Sequence, residues 1–357
     1  MRDLKNYICT APFVNIEIHN QAMFMCCPTW LPNNIAPDMK KPLDEVWNSE
    51  EAKEIRKSIH DGSYKYCDKK QCPFLSEVIN DKKLNNVNPI VERKDTPSYI
   101  TDNYNVETGE MNVGPSVIQF AFDRTCNYKC PSCRVELIVE NSKGIERVKA
   151  TLLEIEKKFA KNLSTMFITG SGDPFVSVGF RDFLRNFDPK KYPKLKNIHL
   201  HTNASMWNEK MWDSMRNVWP YVKSCEISID AGTRETYENR TRLGGNWDNL
   251  IGNLHFIAKI PALKYIKTSF VVQDSNYTEM ETFLELMKSI FGKKVHVFFG
   301  KINNWDTFSE GEFKLKKVWD VNHPEHLLFK KEFDKVWKDT QVFHNMYEFI
   351  EVKKKII

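Results

Sequence analysis

Residues 116–133 of the chain read SVIQFAFDRTCNYKCPSC, and this stretch decides the fold. Its first eight residues are apolar and β-rich, which predicts a strand that delivers the following loop to one end of a sheet. The loop carries Cys126, Cys130 and Cys133 with CxxxCxxC spacing, and three such thiolates can hold three irons of a [4Fe–4S] cluster. Because the run offers no fourth cysteine, one iron would keep room for another molecule. The spacing therefore predicts a reactive cluster rather than a closed electron carrier.

A zinc knuckle or a set of buried free thiols is the alternative interpretation of the same three cysteines. Zinc prefers four ligands in a closed tetrahedron, usually supplied as two close pairs. Three cysteines in a row suit that geometry poorly, so the cluster is favoured.

Composition sets the broad class of the protein. The chain has 357 residues, with 52 Lys and Arg against 47 Asp and Glu, and a net charge of +5. That excess is too slight to argue for a nucleic-acid partner. Residues 1–8 lack the apolar core of a signal peptide, and no apolar run approaches the roughly 18 residues of a spanning helix. We therefore expect a soluble, cytoplasmic protein without a membrane partner. In that reducing compartment the nine cysteines are expected to bind metal or to be buried, not to form disulfides.

The N-terminal part of the chain is rich in cysteine. Phe13–His19 and Ala22–Cys26 are predicted as two short strands joined by a turn, and Leu43–Ile59 as a helix. A hairpin cysteine, a helix and a later cysteine pair could surround a second cluster. The cysteines of this part are Cys9, Cys26, Cys27, Cys67 and Cys72.

The rest of the chain divides into three predicted segments. Residues 76–114 are polar and are predicted to connect residues 1–75 to a domain over residues 115–305, and residues 306–357 to form a helical closure. Strand-like and helix-like stretches alternate from residue 116 onward, which predicts βα units and a parallel sheet. The clearest helix is Thr278–Phe291, with a capping box of Thr278 and Glu281 and a stop at Gly292. The predicted strands are Val117–Phe122, Thr165–Thr169, Asn197–His201, Cys225–Asp230, Tyr265–Gln273 and Lys294–Phe299.

The cysteine loop after a first strand resembles the radical S-adenosylmethionine (SAM) superfamily. The resemblance implies a partial (β/α)6 barrel in the α/β class, with chemistry at the carboxyl ends of its strands. It also implies that SAM binds the open iron and is cleaved by one electron to methionine and a 5′-deoxyadenosyl radical, which abstracts a substrate hydrogen. Reduced flavodoxin or ferredoxin would supply the electron. One departure is Ser132, where many family members carry an aromatic residue.

Four downstream stretches resemble motifs of the same family. The turn 170–173 (GSGD) resembles the GGE motif that binds the SAM amino group, although such a turn alone is usually only a tight turn. Asn203 ends a third-strand motif, and residues 228–232 resemble the fourth-strand motif near the SAM ribose. The following segment has an arginine that often neutralises the SAM carboxylate; Arg242 is favoured, and Arg240 is the alternative. The residues that the resemblance implies for SAM are Gly170, Ser171, Gly172, Asp173, Asn203, Ser228, Asp230 and Arg242.

Residues 1–75 resemble the SPASM or twitch module, a small α+β module that holds an auxiliary [4Fe–4S] cluster in such proteins. Here the module would precede the barrel instead of following it, and its last pair is CxxxxC rather than CxxC. The family pattern favours Cys26 over Cys27. A zinc site on the same four thiolates is the alternative. The implied ligands are Cys9, Cys26, Cys67 and Cys72.

Alternation along the predicted strands identifies candidates for hydrogen and proton transfer. His199 and His201 share one face, and Glu226 shares a face with the SAM-binding side chains of its own strand. His199, His201 and Glu226 are candidate proton-transfer groups, although a hydrogen bond or an ion pair would give each of them a purely structural role. Cys225 points the other way; it is either a small buried thiol or a hydrogen-atom donor to a substrate radical.

The sequence thus predicts a radical SAM enzyme that acts on a small molecule such as a sugar, because no extra N-terminal peptide-binding domain is seen. A peptide- or protein-modifying enzyme is the alternative within the family. A non-catalytic zinc-binding interaction protein is the alternative from another class.

Overall fold

The fold is α/β and its sheet is mostly parallel. We describe a computed structural model of the chain, which covers residues 3–80, 88–169 and 171–346. The strands are β1 Tyr7–Cys9, β2 Asn15–His19, β3 Met23–Phe24, β4 Ile90–Glu92, β5 Val117–Ala121, β6 Thr165–Ile168, β7 Asn197–Thr202, β8 Val222–Ser228, β9 Tyr265–Val272, β10 Val295–Lys301 and β11 Val342–His344.

Most of the helices lie between consecutive strands, as the alternation predicts. Six of the longer ones carry a buried apolar stripe, which is what an amphipathic helix presents to a sheet. The α-helices are Ala11–Val14, Leu43–Trp47, Glu50–His60, Pro73–Ile79, Ser98–Thr101, Ser142–Phe159, Val178–Arg185, Glu209–Asp213, Arg234–Thr236, Trp247–Ala258, Met280–Phe291, Glu310–Lys316 and His326–Val336.

The chain divides by contacts into two compact units. The first comprises residues 1–123, 141–171 and 187–198, and the second comprises residues 124–140, 172–186 and 199–357. This division does not follow the four predicted segments, whose boundaries stay a prediction.

In the first unit, β2 pairs antiparallel with β3 and parallel with β5, and β5 pairs parallel with β6. The predicted N-terminal hairpin is therefore confirmed, but its first strand also extends the parallel sheet. The segment predicted only to connect contributes β4, which pairs antiparallel with β1 so that Cys9 lies opposite Ile90. A backbone hydrogen bond from Thr10 N to Pro89 O, 2.9 Å long, closes this pair next to Cys9.

In the second unit, β8, β9, β10 and β11 pair in parallel in that order. The core here contains an aromatic cluster in which Phe270 contacts Phe283 and Phe299, with ring centroids 5.0 and 5.4 Å apart. All three rings are completely buried, and each contributes on the order of 2 kcal/mol through burial. This packing fixes helix Met280–Phe291 against the sheet.

All six predicted barrel strands are confirmed to within a few residues at each end. Two helix predictions are wrong in detail. The helix expected over Leu43–Ile59 is interrupted at Asn48, and Ser49 starts a second helix by accepting the amide of Ala52. The expected capping box of Thr278 and Glu281 is absent because Thr278 belongs to a 3₁₀ turn and the helix begins at Met280. Gly292, with φ +59°, ends that helix as expected.

Of the helices described, none combines the length and the apolar character that crossing a membrane requires.

Candidate functional site: a three-cysteine loop and a four-cysteine cavity

The three cysteines of the CxxxCxxC loop lie in the second unit, and each sulfur accepts one N–H hydrogen bond. Cys126 and Cys130 are buried, whereas Cys133 is exposed. The three donors come from different parts of the chain, so the loop is held from several sides. They are Asn203 Nδ2 on Cys126 Sγ at 3.6 Å, Arg242 Nη1 on Cys130 Sγ at 3.6 Å and Arg134 Nη2 on Cys133 Sγ at 3.4 Å.

This donor set fits an iron–sulfur cluster better than free thiols. Burial raises the pKa of the Cys130 thiol to about 11, and it also raises the pKa of Cys126. A neutral buried thiol gains little from a charged neighbour, whereas a thiolate is stabilised by N–H donors and by the Arg242 guanidinium. Three sulfurs with one donor each therefore form a suitable environment for metal-bound thiolates.

The geometry around the loop depends on a buried Tyr pair and a glycine. Tyr128 Oη and Tyr237 Oη are 3.0 Å apart, and Lys129 N donates to Leu243 O over 3.0 Å. Gly244 follows with φ +94°, and a Cβ there would stand 3.3 Å from Asn127 O. The segment that contains Arg242 is thus fixed directly against the cysteine loop.

Asp173 is a buried carboxylate that organises the end of β7. Its Oδ2 accepts from Thr202 Oγ1 at 2.7 Å and from Asn203 N at 2.8 Å, while Oδ1 accepts from Phe175 N at 3.0 Å. Burial raises the pKa of Asp173, and these hydrogen bonds oppose the rise. Asp173 therefore positions Asn203, whose side chain in turn contacts Cys126.

Arg242 and Asp230 form a buried ion pair next to Cys130. Arg242 Nη2 lies 2.6 Å from Asp230 Oδ2, and Arg242 Nε donates to Ile229 O. Burial raises the pKa of Asp230, against the opposing charge of Arg242. The alternative candidate, Arg240, is exposed at the surface. Arg242 is therefore the arginine that contacts the cysteine loop.

The other residues predicted to hold SAM are distributed as follows. Ser228 Oγ lies 2.9 Å from His201 Nε2 and accepts from Ser269 Oγ at 3.3 Å. Ser171 belongs to the first unit, where its Oγ donates to Ala121 O over 2.8 Å. Gly172 belongs to the second unit, and Gly170 lies outside the described residues.

A polar face runs along β7, β8 and β9 in the second unit. On it His199 Nδ1 lies 2.8 Å from Ser224 Oγ, and Glu226 Oε2 lies 3.0 Å from Lys267 Nζ. Burial, with His201 nearby, lowers the pKa of His199 to about 4, so its imidazole is neutral at neutral pH. Burial alone would raise the pKa of Glu226, but His201 and Lys267 outweigh it and lower the pKa. Glu226 is thus an ionised group, suited to accept a proton or to bind a cation.

Cys225 lies on the opposite face of β8. Its side chain is completely buried, and burial raises the pKa of its thiol. The neighbouring Glu226 and Ser228 alternate to the polar face. The prediction that Cys225 points away from the polar face agrees with this placement.

The four cysteines predicted to hold an auxiliary centre line one cavity in the first unit. The space between the atoms of this cavity is about 370 Å³, with open solvent included, and Cys27 is not among its lining residues. Pro12, Tyr64 and Ile90 complete the wall next to Cys9. Within the described ranges, no group of three or more His, Cys, Asp or Glu side chains converges on one point as the ligands of a single metal ion do. The sulfurs around the cavity belong to Cys9, Cys26, Cys67 and Cys72.

The same four cysteines influence one another electrostatically. Burial raises the pKa values of Cys9 and Cys67 to about 12, and the neighbouring Cys72 adds to both shifts. The pKa of Cys26 is raised by burial and then by Cys9. Four such thiols packed together are costly to ionise singly, but a cation that binds all four would replace their protons. The donor set therefore fits a metal–thiolate centre.

Three residues of the site were missed by the sequence analysis. Arg134 directly follows Cys133, and adjacency was its only signal. Lys267 was detectable in principle, because it lies on the polar face of β9 and directly opposite Glu226 in the β8–β9 register. Asn127, which accepts from Asn203 Nδ2 at 3.0 Å, has no signal outside the structure.

Comparison with known structures finds proteins that were solved with bound S-adenosylmethionine or with a peptide. SuiB from Streptococcus suis bound to S-adenosylmethionine shares 14% identity, with a TM-score of 0.45, over 66% of this chain and 52% of that chain. Native anSMEcpe with bound AdoMet shares 16% identity, with a TM-score of 0.46, over 62% and 60%. SuiB bound to precursor peptide SuiA shares 13% identity, with a TM-score of 0.45, over 96% and 73%.

This chain thus spans about half the length of SuiB in the SAM-bound structure. Among curated proteins, none matches it. A family model does match: residues 122–287, which contain the cysteine loop and strands β6 to β9, fit the description "Radical SAM superfamily". Residues 122–287 of this chain are therefore similar to the radical SAM superfamily domain.

Proposed function

We propose that the protein is a radical SAM enzyme that abstracts hydrogen from a small polar molecule, such as a sugar, and that carries an auxiliary [4Fe–4S] cluster. The observation that carries the proposal is the cysteine loop, in which each of three sulfurs accepts an N–H donor while the loop supplies no fourth cysteine. Cys126, Cys130 and Cys133 would hold the cluster, which when bound supplies the electron that cleaves SAM.

The chain's own residues would position this chemistry. Asp173 holds Asn203 against Cys126, and the Asp230–Arg242 pair places a guanidinium against Cys130. Both arrangements are largely buried, so they would exclude water from the reacting groups, as a primary radical requires. We propose that SAM binds beside them, through Gly172, Asp173, Asn203, Ser228, Asp230 and Arg242 in the second unit. For Gly170 and Ser171, SAM binding stays a prediction from the resemblance.

The polar face of β7 to β9 supports a polar substrate. The face offers a neutral imidazole at His199, an anion at Glu226 and a cation at Lys267. Such groups suit the hydroxyl groups of a sugar, which both donate and accept hydrogen bonds. His201 and Glu226 would bind the substrate or move a proton on it. Cys225 is completely buried on the other face, which favours its alternative role as a small buried thiol over hydrogen-atom donation.

The second metal centre would be held by Cys9, Cys26, Cys67 and Cys72. A cavity between these sulfurs, rather than a single point of convergence, supports a cluster of several irons over one zinc ion, because four irons and four sulfides separate the thiolates of a cubane. The zinc-binding interaction protein stays the alternative of another class. About eight irons per chain after anaerobic preparation would support two clusters, and bound zinc would support the alternative.

A peptide or protein substrate is the second candidate. The observation that favours it is the segment after Cys133, in which Val135, Leu137 and Val139 are 64%, 55% and 64% exposed. Alternate apolar side chains beside the cysteine loop are suited to contact an extended chain. SuiB has been solved with its precursor peptide SuiA, but that is a property of SuiB.

The proposal is tested by reducing the anaerobic, iron-loaded protein with dithionite in the presence of SAM and measuring 5′-deoxyadenosine. We expect product from the wild type and from Cys9→Ala, and none from Cys126→Ala. Equal product from the wild type and Cys126→Ala would contradict the role of the cysteine loop. Addition of sugars or peptides then identifies the substrate class, because only a substrate of this enzyme raises turnover above the basal rate.

A further inference from the structure

The first unit contains a buried arginine with no acidic partner. Arg56, on helix Glu50–His60, is completely buried. Among the described residues, no carboxylate forms an ion pair with it. An unpaired buried charge is costly, so its retention calls for an explanation.

The guanidinium is held by four oxygen acceptors. Nε donates to Pro12 O at 3.0 Å and Nη2 to Trp47 O at 2.8 Å, while Nη1 donates to Asn48 Oδ1 at 3.0 Å and to Gly109 O at 3.4 Å. The charged group also lies 4.3 Å from the centre of the Trp47 ring. These contacts give each guanidinium nitrogen at least one acceptor, but they leave the positive charge without an anion. Burial accordingly lowers the pKa of Arg56 to about 9.

One of the four acceptors belongs to the wall of the cysteine cavity. Pro12, whose carbonyl accepts from Arg56 Nε, lines that cavity together with Cys9. When four thiolates bind either a [4Fe–4S] cluster or a zinc ion, the centre carries a net negative charge. The missing counter-charge of Arg56 would then be supplied by the centre itself.

We propose that Arg56 is the electrostatic partner of an anionic metal–thiolate centre on Cys9, Cys26, Cys67 and Cys72, which it stabilises through charge across the Pro12 segment. The inference rests on the auxiliary centre proposed above. Arg56 is a positioning residue: it touches neither the metal nor a substrate. Its positive charge would also make the centre easier to reduce, because reduction adds negative charge.

The test uses the full-length chain with Cys126, Cys130 and Cys133 replaced by Ala, so that bound metal reports the second centre alone. Metal affinity and the thermal midpoint are measured for the metal-loaded and the metal-free protein, with iron and zinc tried separately. The variants are Arg56→Met and Arg56→Lys. Lys53→Met is the matched control, because Lys53 lies on the same helix but has carboxylate partners in Glu50 and Glu110.

We expect Arg56→Met to weaken metal binding by about 10- to 100-fold, the usual effect of removing a supporting residue. Most of the metal-dependent rise in the thermal midpoint should be lost with it. Lys53→Met should bind metal as the parent does. If Arg56→Met fails to fold, Arg56→Lys tests the role of the charge. Lysine keeps the positive charge but cannot form all four hydrogen bonds, so this variant should be less stable than the parent without metal and should still bind metal.

Two results would overturn the inference and are distinguishable from failure of the proposed function. Equal destabilisation of the loaded and metal-free forms by Arg56→Met, with unchanged metal affinity, would make Arg56 only an organiser of the backbone. Loss of metal in Arg56→Lys equal to that in Arg56→Met would exclude the role of charge. If the parent protein, in which Arg56 is unchanged, binds neither iron nor zinc, then the auxiliary centre itself is contradicted, and so is the inference that depends on it.

Discussion

Arg242 Nη2 lies 2.6 Å from Asp230 Oδ2, and the same guanidinium donates to Cys130 Sγ at 3.6 Å. The side chains of Arg242 and Asp230 are 11% and 1% exposed, so the pair is buried. Removing one member of such a pair leaves an uncompensated charge, and Arg242→Gln should lower the free energy of unfolding by about 3–5 kcal/mol. Denaturant unfolding measures this value.

The neighbouring Arg240 provides the control for that prediction. It is exposed, so Arg240→Gln should change the free energy of unfolding by less than about 0.5 kcal/mol. The double variant Asp230→Asn with Arg242→Gln should be less destabilised than the sum of the single variants, because both charges are then removed. Strict additivity would show that the ion pair does not form in solution.

Glu226 and Lys267 face each other directly in the β8–β9 register, with 3.0 Å between Oε2 and Nζ. We expect a coupling free energy of about 0.5–3 kcal/mol in a double-mutant cycle of Glu226→Gln and Lys267→Met. Because the pair lies away from the three cluster cysteines in sequence and contacts none of them by hydrogen bond, basal SAM cleavage should continue in both variants. Loss of basal 5′-deoxyadenosine in Glu226→Gln would place Glu226 in SAM binding instead.

His199 predicts a pH dependence of stability. Its pKa is lowered from 6.5 to about 4 in the folded protein, so the unfolded chain binds the proton more readily. The contribution of neutral His199 is therefore complete above about pH 6.5 and is lost as the pH falls toward 4. His199→Asn keeps a polar group near Ser224 and should show a shallower loss of stability between pH 7 and pH 5. Identical acid sensitivity in the variant and the wild type would refute this role.

Arg134 is predicted to support the exposed member of the cysteine loop. It is buried, and its Nη2 donates to Cys133 Sγ. Arg134→Met should lower the affinity of the loop for its cluster by about 10- to 100-fold. Arg124→Met is the control. It removes a positive charge from the same loop but keeps the Arg124 backbone carbonyl that accepts from Arg134 Nη1, so this variant should retain iron. Iron content after gel filtration measures both, and equal retention by the two variants would contradict the prediction.

Much of the fold was predictable from sequence, because the barrel strands are apolar β-rich runs separated by amphipathic helices. For β2, the sequence pattern predicts the strand but not all of its pairing partners. Its sequence indicates a strand and a hairpin, but pairing with β5 joins residues about 100 positions apart. β4 was missed because Ile90–Glu92 is short and lies in a polar segment whose pairing with β1 no periodicity reveals.

The site was predictable where spacing carries chemistry. The CxxxCxxC loop was identified by its spacing, whereas the four N-terminal cysteines were identified by resemblance to the SPASM or twitch module. The hydrogen bonds to the sulfurs of the loop were not predicted: Asn203 and Arg242 were expected to bind SAM, and Arg134 was not identified although it directly follows Cys133. The burial of Arg56 was not predicted for a different reason: the helical pattern does not distinguish it from any other basic residue on an amphipathic helix.

The central claim is that an iron held by Cys126, Cys130 and Cys133 keeps coordination sites open for SAM. Electron paramagnetic resonance of the dithionite-reduced, iron-loaded protein, recorded with and without SAM, tests this most directly. A variant with Cys9, Cys26, Cys67 and Cys72 replaced by Ala isolates the signal of the loop. We predict that SAM shifts the g values of this signal, and that Cys126→Ala removes both the signal and its shift. A cluster signal that SAM leaves unchanged would contradict the account.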